Sequence, residues 1–169
     1  MRILDFDPKE GQAFQGDVAI IPIPSDIAIG RGDEMLPVHG KLILQEGEMT
    51  GHHHHIVIER PAKESEESPA EPESRKRTMK GVEGLMSDAL AGKIAVPTAR
   101  MFRDAAVAIE MQRRGILTRS DLAVACLVVE NGPMVVSHQE HDGIRLPVGS
   151  YLIGRQIESA GQEERIVAD

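Results

Sequence analysis

The sequence predicts a mainly β protein, a small barrel or sandwich with a helical segment inserted in its middle. Three observations carry that expectation. Before residue 60 and after residue 123 apolar residues alternate with polar ones at the period of a half-buried strand, and between those points they recur at helical spacing. Gly, Pro, Asn and Asp punctuate the alternating runs at short intervals. With 169 residues the chain suffices for one domain with its own core and falls short of two, so residues 1–169 are read as a single β domain.

Taken in order, Gly16-Asp17 opens the first clear strand, Val18 to Ile23, in which Pro22 suits an edge or a bulge. Lys41 to Gln45 forms the next, and the turn from Glu46 to Gly51 leads into a strand that begins in histidines, so these two make a hairpin. Residues 61–80 are expected to form a mobile loop. Within it, Pro61 to Ser74 carries five Glu and three Pro with almost nothing apolar, and cannot bury enough surface to offset its ordering entropy. Residues 81–122 are expected to be the helical insertion. Glu83 to Ala91 is a short amphipathic candidate stopped by Gly92, and Thr98 to Arg114 is a longer one. Its apolar stripe is Met101, Phe102, Ala105, Ala106 and Ile109, with Glu110 four residues before Arg114 and Gly115 as the stop. Thr118-Arg119-Ser120-Asp121 has the capping-box pattern and predicts one further turn. Alternation returns from Ala123 to Val136, where Asn131-Gly132 signals a type I′ hairpin. Residues 143–146 and 150–157 add a strand pair across the turn at Pro147 to Gly149, and 164–168 completes the sheet.

Composition removes several classes of partner. Apolar residues make up 41% but aromatics only 2%, so the core must be built from Val, Ile, Leu, Met and Ala, and stacking platforms for single-stranded nucleic acid are scarce. A formal net charge of -8 opposes a phosphate backbone, and the basic run Arg75-Lys76-Arg77 merely follows an acidic stretch, so no nucleic-acid partner is expected. Cys126 is the single cysteine, which leaves no intramolecular disulfide, and its neighbours Ala125 and Leu127 suggest a buried structural thiol. The N-terminus lacks the apolar run of a signal peptide and no stretch reaches the length of a membrane span. The expected location is the cytoplasm, with no membrane partner.

The chemistry concentrates in His52-His53-His54-His55, which runs directly into Ile56-Val57-Ile58. Successive strand side chains point to opposite faces, so His52 and His54 share a face with Ile56 and Ile58, and His53 and His55 share the other with Val57 and Glu59. Two imidazoles one strand step apart can grip one metal ion. A second polar cluster, Ser137-His138-Gln139-Glu140-His141-Asp142, follows another predicted strand, and continued alternation would place His138 and Glu140 on one face. The candidate metal residues are therefore His52, His54, His138, Glu140 and His141, around a divalent ion such as Zn, Fe, Mn or Ni. Glu140 is also the candidate general base or orienting residue, and Glu48, in the turn, is a weaker one. The opposing reading is a set of solvated or carbonyl-bonded histidines with no metal.

Gly47, five residues, His53, one residue, His55, three residues and Glu59 is similar to the first motif of cupins, whose histidines and glutamate bind a metal inside a β-barrel. Asp142, four residues, then Pro147-Val148-Gly149 resembles the start of the second cupin motif, but Leu152 stands where that motif places its histidine, so His138 or His141 would have to substitute. A closer resemblance is to small uncharacterised bacterial and phage β-proteins that open with a Gly-Asp-Val strand, carry a GEVTGHxH segment, and end with HxEH, a Pro-x-Gly-x-Tyr turn and an Arg-Gln-x-Glu strand. The matching residues are Gly16-Asp17-Val18, Gly47 to His54, His138 to His141, Pro147 to Tyr151, and Arg155-Gln156-Ile157-Glu158. This resemblance implies a shared β fold and a shared His/Glu cluster, favours the register with His52 and His54 inward, and marks the acidic loop and helices as an insertion. It supplies no substrate.

Two functional classes are consistent with these residues. One is a metal-binding cupin-like protein, acting on a small molecule if it is an enzyme. The other is a structural or interaction protein, such as a phage-type capsid accessory or assembly component found in the virion, whose helical insertion and acidic loop would engage neighbouring subunits in a homo-oligomer. On the predicted fold, circular dichroism of the whole chain is expected to show more strand than helix, and a predominantly helical spectrum would contradict it.

Overall fold

The computed structural model describes residues 2–30, 32–46, 52–58, 95–160 and 163–166. Apart from residues 95 and 96, these belong to the unit formed by Met1–Glu59 and Pro97–Asp169. The chain is mainly β. A five-stranded sheet has the order β1 (Ile3–Asp5), β10 (Gly143–Leu146), β9 (Met134–Ser137), β6 (His53–Val57) and β5 (Lys41–Glu46). A six-stranded sheet has the order β2 (Ala13–Gln15), β3 (Val18–Pro22), β11 (Gly149–Arg155), β8 (Ala123–Glu130), β7 (Thr98–Arg103) and β4 (Asp33–Met35). Strands β12 (Ile157–Ala160) and β13 (Glu163–Ile166) pair with each other in a separate ribbon. Among the described residues neither main sheet closes into a barrel, and no helix is long and apolar enough to cross a membrane.

The period-two pattern decides which residues meet. Val18 and Ile20, Ala99 and Met101, Leu127 and Val129, and Tyr151 and Ile153 leave one face of the six-stranded sheet. They meet Leu42, Leu44, Ile56, Val136, Ile144 and Leu146 from the five-stranded sheet in one shared core. The opposite face of the six-stranded sheet is also buried, because Ala19, Ile21, Cys126 and Leu152 pack under Val107, Ala108 and Met111 of the single described helix, α1 (Ala105–Arg113). Burial on both faces explains why β3 reads as a continuous apolar run rather than an alternating one. Asp104 caps α1, its Oδ1 accepting from the Ala106 amide at 3.1 Å. At the other end Arg113 and Arg114 both hydrogen-bond Glu110, holding its carboxyl down to about 2, and Arg114 reaches Asp26 at 2.6 Å.

Several sequence expectations need correction. The helix expected from Thr98 to Arg114 begins only at Ala105. Thr98–Arg103 is a strand inside the six-stranded sheet, where Met101 and Phe102 pair with Leu127 and Cys126. The expected stripe of Met101, Phe102, Ala105, Ala106 and Ile109 is replaced by Val107, Ala108 and Met111, and Ile109 is exposed. Pairing on both strand edges outweighs helical propensity here. The described part of the 81–122 insertion thus contributes to the sheet, while Glu83 to Ala91 and residues 61–80 lie outside the described residues.

Asn131-Gly132 does not make a hairpin, because β8 and β9 belong to different sheets. Gly132 sits at φ 153°, far from a type I′ turn, and carries the chain across the core. The turn at Pro147 returns it in the same way, since β10 and β11 also lie in different sheets. The last strand, expected to complete a main sheet, instead pairs in the separate ribbon. The capping-box segment forms a short 3-10 turn at Ser120–Leu122 with no side-chain cap.

Cys126 is fully buried, and burial pushes its thiol up to about 12. The native protein is therefore expected to resist a thiol reagent at pH 8 and to react on unfolding, and rapid labelling of the native state would contradict this packing.

Candidate functional site

A two-residue turn delivers the first part of the site. Gln15 pairs with Val18 across Gly16-Asp17, and Gly16, at φ 56°, takes the first central position while Asp17 keeps a negative φ. This is the glycine requirement of a type II′ hairpin. The turn places Gln15 and Asp17 at the rim of the six-stranded sheet, facing the five-stranded one.

The second part comes from β6. His54 and Ile56 are fully buried and His53, His55 and Val57 lie on the other side, so the inward register is that of His54. A bulge in β5 between Ile43 and Gln45 sets Gln45 opposite His54. The third part is the turn after β9, which carries His138, Glu140 and His141.

Among the described residues the buried polar or charged side chains are Gln15, Asp17, His54 and His138. All four meet at this point. The Gln15 Nε2 donates to the Asp142 carbonyl at 2.5 Å and the Val136 carbonyl at 3.5 Å, which fixes its amide orientation because carbonyls only accept. Its Oε1, 3.0 Å from His54 Nδ1, must then accept, so that nitrogen carries a proton. The other ring nitrogen, Nε2, stands 2.9 Å from Asp17 Oδ1. That distance is one of an ion pair if the ring is protonated. A neutral ring protonated at Nδ1 presents a lone pair at Nε2, toward an oxygen that also carries lone pairs. Such a contact is satisfied by one further proton, on the ring or on the carboxyl, or by a metal ion. The Gln45 amide donates to the other Asp17 oxygen.

Beyond His54 the imidazoles form a row. His138 stacks on His54 with centroids 4.2 Å apart, and His141 stacks on His138 at 4.6 Å. His52 meets His138 edge-on at 5.8 Å. His138 Nδ1 accepts from the Glu140 backbone amide at 3.2 Å, which puts the proton of its neutral form on Nε2. Stacked rings send their nitrogens along nearly parallel lines, and among the described residues no three His, Cys, Asp or Glu side chains surround one point as ligands. On the outer side, burial lowers the pKa of His55, partly offset by its contact with the His53 carbonyl.

The structure therefore brings His52, His54, His138 and His141 together. It does not bring Glu140 inward. Strand β9 ends at Ser137, so the alternation that would have paired Glu140 with His138 stops, and the Glu140 carboxylate is exposed, with Oε1 3.7 Å from His52 Nδ1. Glu48 lies outside the described residues. Sequence reasoning missed Gln15 and Asp17. The available signal was the Gly-Asp pair directly before an apolar run, which marks a tight turn that can face a core. No protein-family model, curated protein or solved structure matches this chain.

Replacing His54 with Ala leaves the Asp17 carboxylate buried without the imidazole beside it, and is expected to cost about 3–5 kcal/mol of stability in a urea titration. His53→Ala, on the outer face, is expected to stay within about 0.5 kcal/mol. Equal losses would contradict the inward register.

Proposed function

We propose that this chain is a metal-binding β protein whose ion is anchored by His54. The observation that carries the reading is the state of that ring. Gln15 holds the proton on Nδ1, so Nε2 is the electron-pair donor, the arrangement in which a ligating histidine is held by an outer partner. His52, His141 and Glu140 supply further donors at the half-exposed side of the row. His138, with Nδ1 engaged by a backbone amide, acts as a spacer unless its turn shifts. Imidazole with carboxylate suits Zn, Fe, Mn or Ni and disfavours soft Cu(I). On this reading the two sheets form a sandwich with the site at one end, a cupin-like placement of metal ligands without the closed barrel. Catalysis at the bound ion, with Glu140 as the candidate proton acceptor, is a further step that requires a substrate.

The second reading is an interaction protein in which a second proton on His54 takes the place of the ion and the cluster serves as a clasp between the sheets. It is favoured by the stacking, since face-to-face rings are not a ligand arrangement. Untagged protein from metal-supplemented culture is expected to contain about one divalent ion per chain. His54→Ala should lose it and the double variant His53→Ala with His55→Ala should keep it, by elemental analysis. Metal-free wild-type protein that also fails to take up Zn(II) or Co(II) would leave the clasp.

A further inference from the structure

We propose that a cavity on the helix side of the six-stranded sheet binds an aliphatic carboxylate, with the head at Arg155 and the tail on apolar side chains. The cavity shares no residue with the histidine cluster, and the proposal does not rest on the metal-binding reading. Its volume is about 290 Å³, at the lower limit of small-molecule sites, and its lining includes Phe14, Ile21, Ile116 and Leu117 together with Arg119 and Arg155. No carboxylate is in that lining although the chain carries a formal net charge of -8, so the local field favours an anion where the molecule as a whole repels one. Arg119 is held by Asp121, which accepts from its Nε at 3.1 Å and its Nη2 at 2.5 Å, whereas Arg155 meets no carboxylate among the described residues. Phe14 and Ile116 are 48% and 40% exposed, apolar surface that a hydrocarbon chain would take out of water. A neighbouring cavity of about 510 Å³ shares Ile21 and Ile116 with the first and adds Pro22 and Glu10. Both arginines thus belong to one cavity and Glu10 to the other, which sets the direction of a ligand with one negative charge, head to Arg155 and tail toward Ile21 and Pro22.

The way α1 ends explains why the space is there. Gly115, at φ 73°, donates its amide to the Gln112 carbonyl at 2.9 Å, and the Ile116 amide donates to the Met111 carbonyl at 2.9 Å, a Schellman stop that ends the helix while sheet still lies beneath. Leu117 then packs against the same apolar cluster as the helix. On the sheet, Gly154 pairs with Ala19 on one side and Ala123 on the other, so three adjacent strands carry short side chains or none at this level and leave the room unfilled. Phe14 pairs with Ala19 and shares its face, and β2 is the last strand on that side of the sheet, so Phe14 walls the cavity without a further strand to cover it.

The test uses octanoate, added to the full-length chain below its micellar range and followed by methyl NMR. Octanoate is expected to shift the resonances of Ile21, Ile116 and Leu117 and to leave those of Leu42 and Val136, in the core between the sheets, where they are. Octanol, with the same tail and no charge, should bind at least about tenfold more weakly, the loss of one charge-assisted contact, and acetate, a head without a tail, should shift nothing. These three arms use wild-type protein and decide the matter even if a variant fails to fold. Arg155→Gln with an otherwise native spectrum should weaken octanoate about tenfold and leave octanol unchanged, a split that altered cavity shape would not produce. Ile116→Gln should weaken both ligands together. Absence of octanoate shifts at the cavity, octanol binding as tightly as octanoate, acetate shifting the same resonances, or unchanged octanoate affinity in Arg155→Gln overturns the proposal.

Discussion

The contact between His54 and Asp17 governs how this end of the molecule is built. Removing an imidazole and a carboxylate from water together costs several kcal/mol for each charged group, and the surrounding residues exist in positions that offset that cost. Gly16 makes the turn that aims Asp17 inward, the bulge in β5 brings the Gln45 amide to it, and Gln15 spans from the six-stranded sheet to the His54 ring while bonding the carbonyls of Val136 and Asp142. The same Gln15 thereby fixes the chain just before and just after the turn that carries His138 and His141. A single buried pair thus determines a hairpin turn, a strand irregularity and the position of a loop from a distant part of the sequence.

The row of imidazoles also limits how much charge the site can hold. His54, His138 and His141 overlap face to face at centroid separations of 4.2 and 4.6 Å, a geometry in which a cation on one ring is stabilised by the electron-rich face of a neutral neighbour and destabilised by a second cation. The Glu140 amide on His138 Nδ1 keeps the middle ring neutral in this arrangement.

Much of the fold was legible because alternation is a direct consequence of strand geometry. The hairpin of β5 and β6, the shared face of His54 and Ile56, and the apolar run of β3 are all readable from every second residue, whereas alternation leaves open which of the two histidine faces turns inward, and burial of His54 decides it. The failures have identifiable causes. Thr98 to Arg114 satisfies helical spacing, yet Ala99 and Met101 also fit a two-residue period, and the choice between them depends on β8 and β4, which lie far away in sequence. Asn131-Gly132 suits a hairpin locally, but burying both Val129 and Val136 in one core from opposite sides requires the chain to cross between sheets instead. Gln15 and Asp17 were not legible as site residues, because a polar side chain beside a turn is usually solvated and only the opposing sheet shows that these two are buried.

The crossing between sheets has a consequence for how the molecule assembles. After β8 the chain leaves the six-stranded sheet, builds β9 and β10 of the other layer, and returns so that Gly149 pairs with Val129. The central ladder of one sheet is thus the closure of a loop whose contents belong to the other. Its entropy cost falls before either layer is complete, and the contacts that repay it are non-local ones from both layers. Neither sheet is an autonomous unit laid over a finished neighbour. A cut anywhere between Glu130 and Gly149 would divide both layers at the same time.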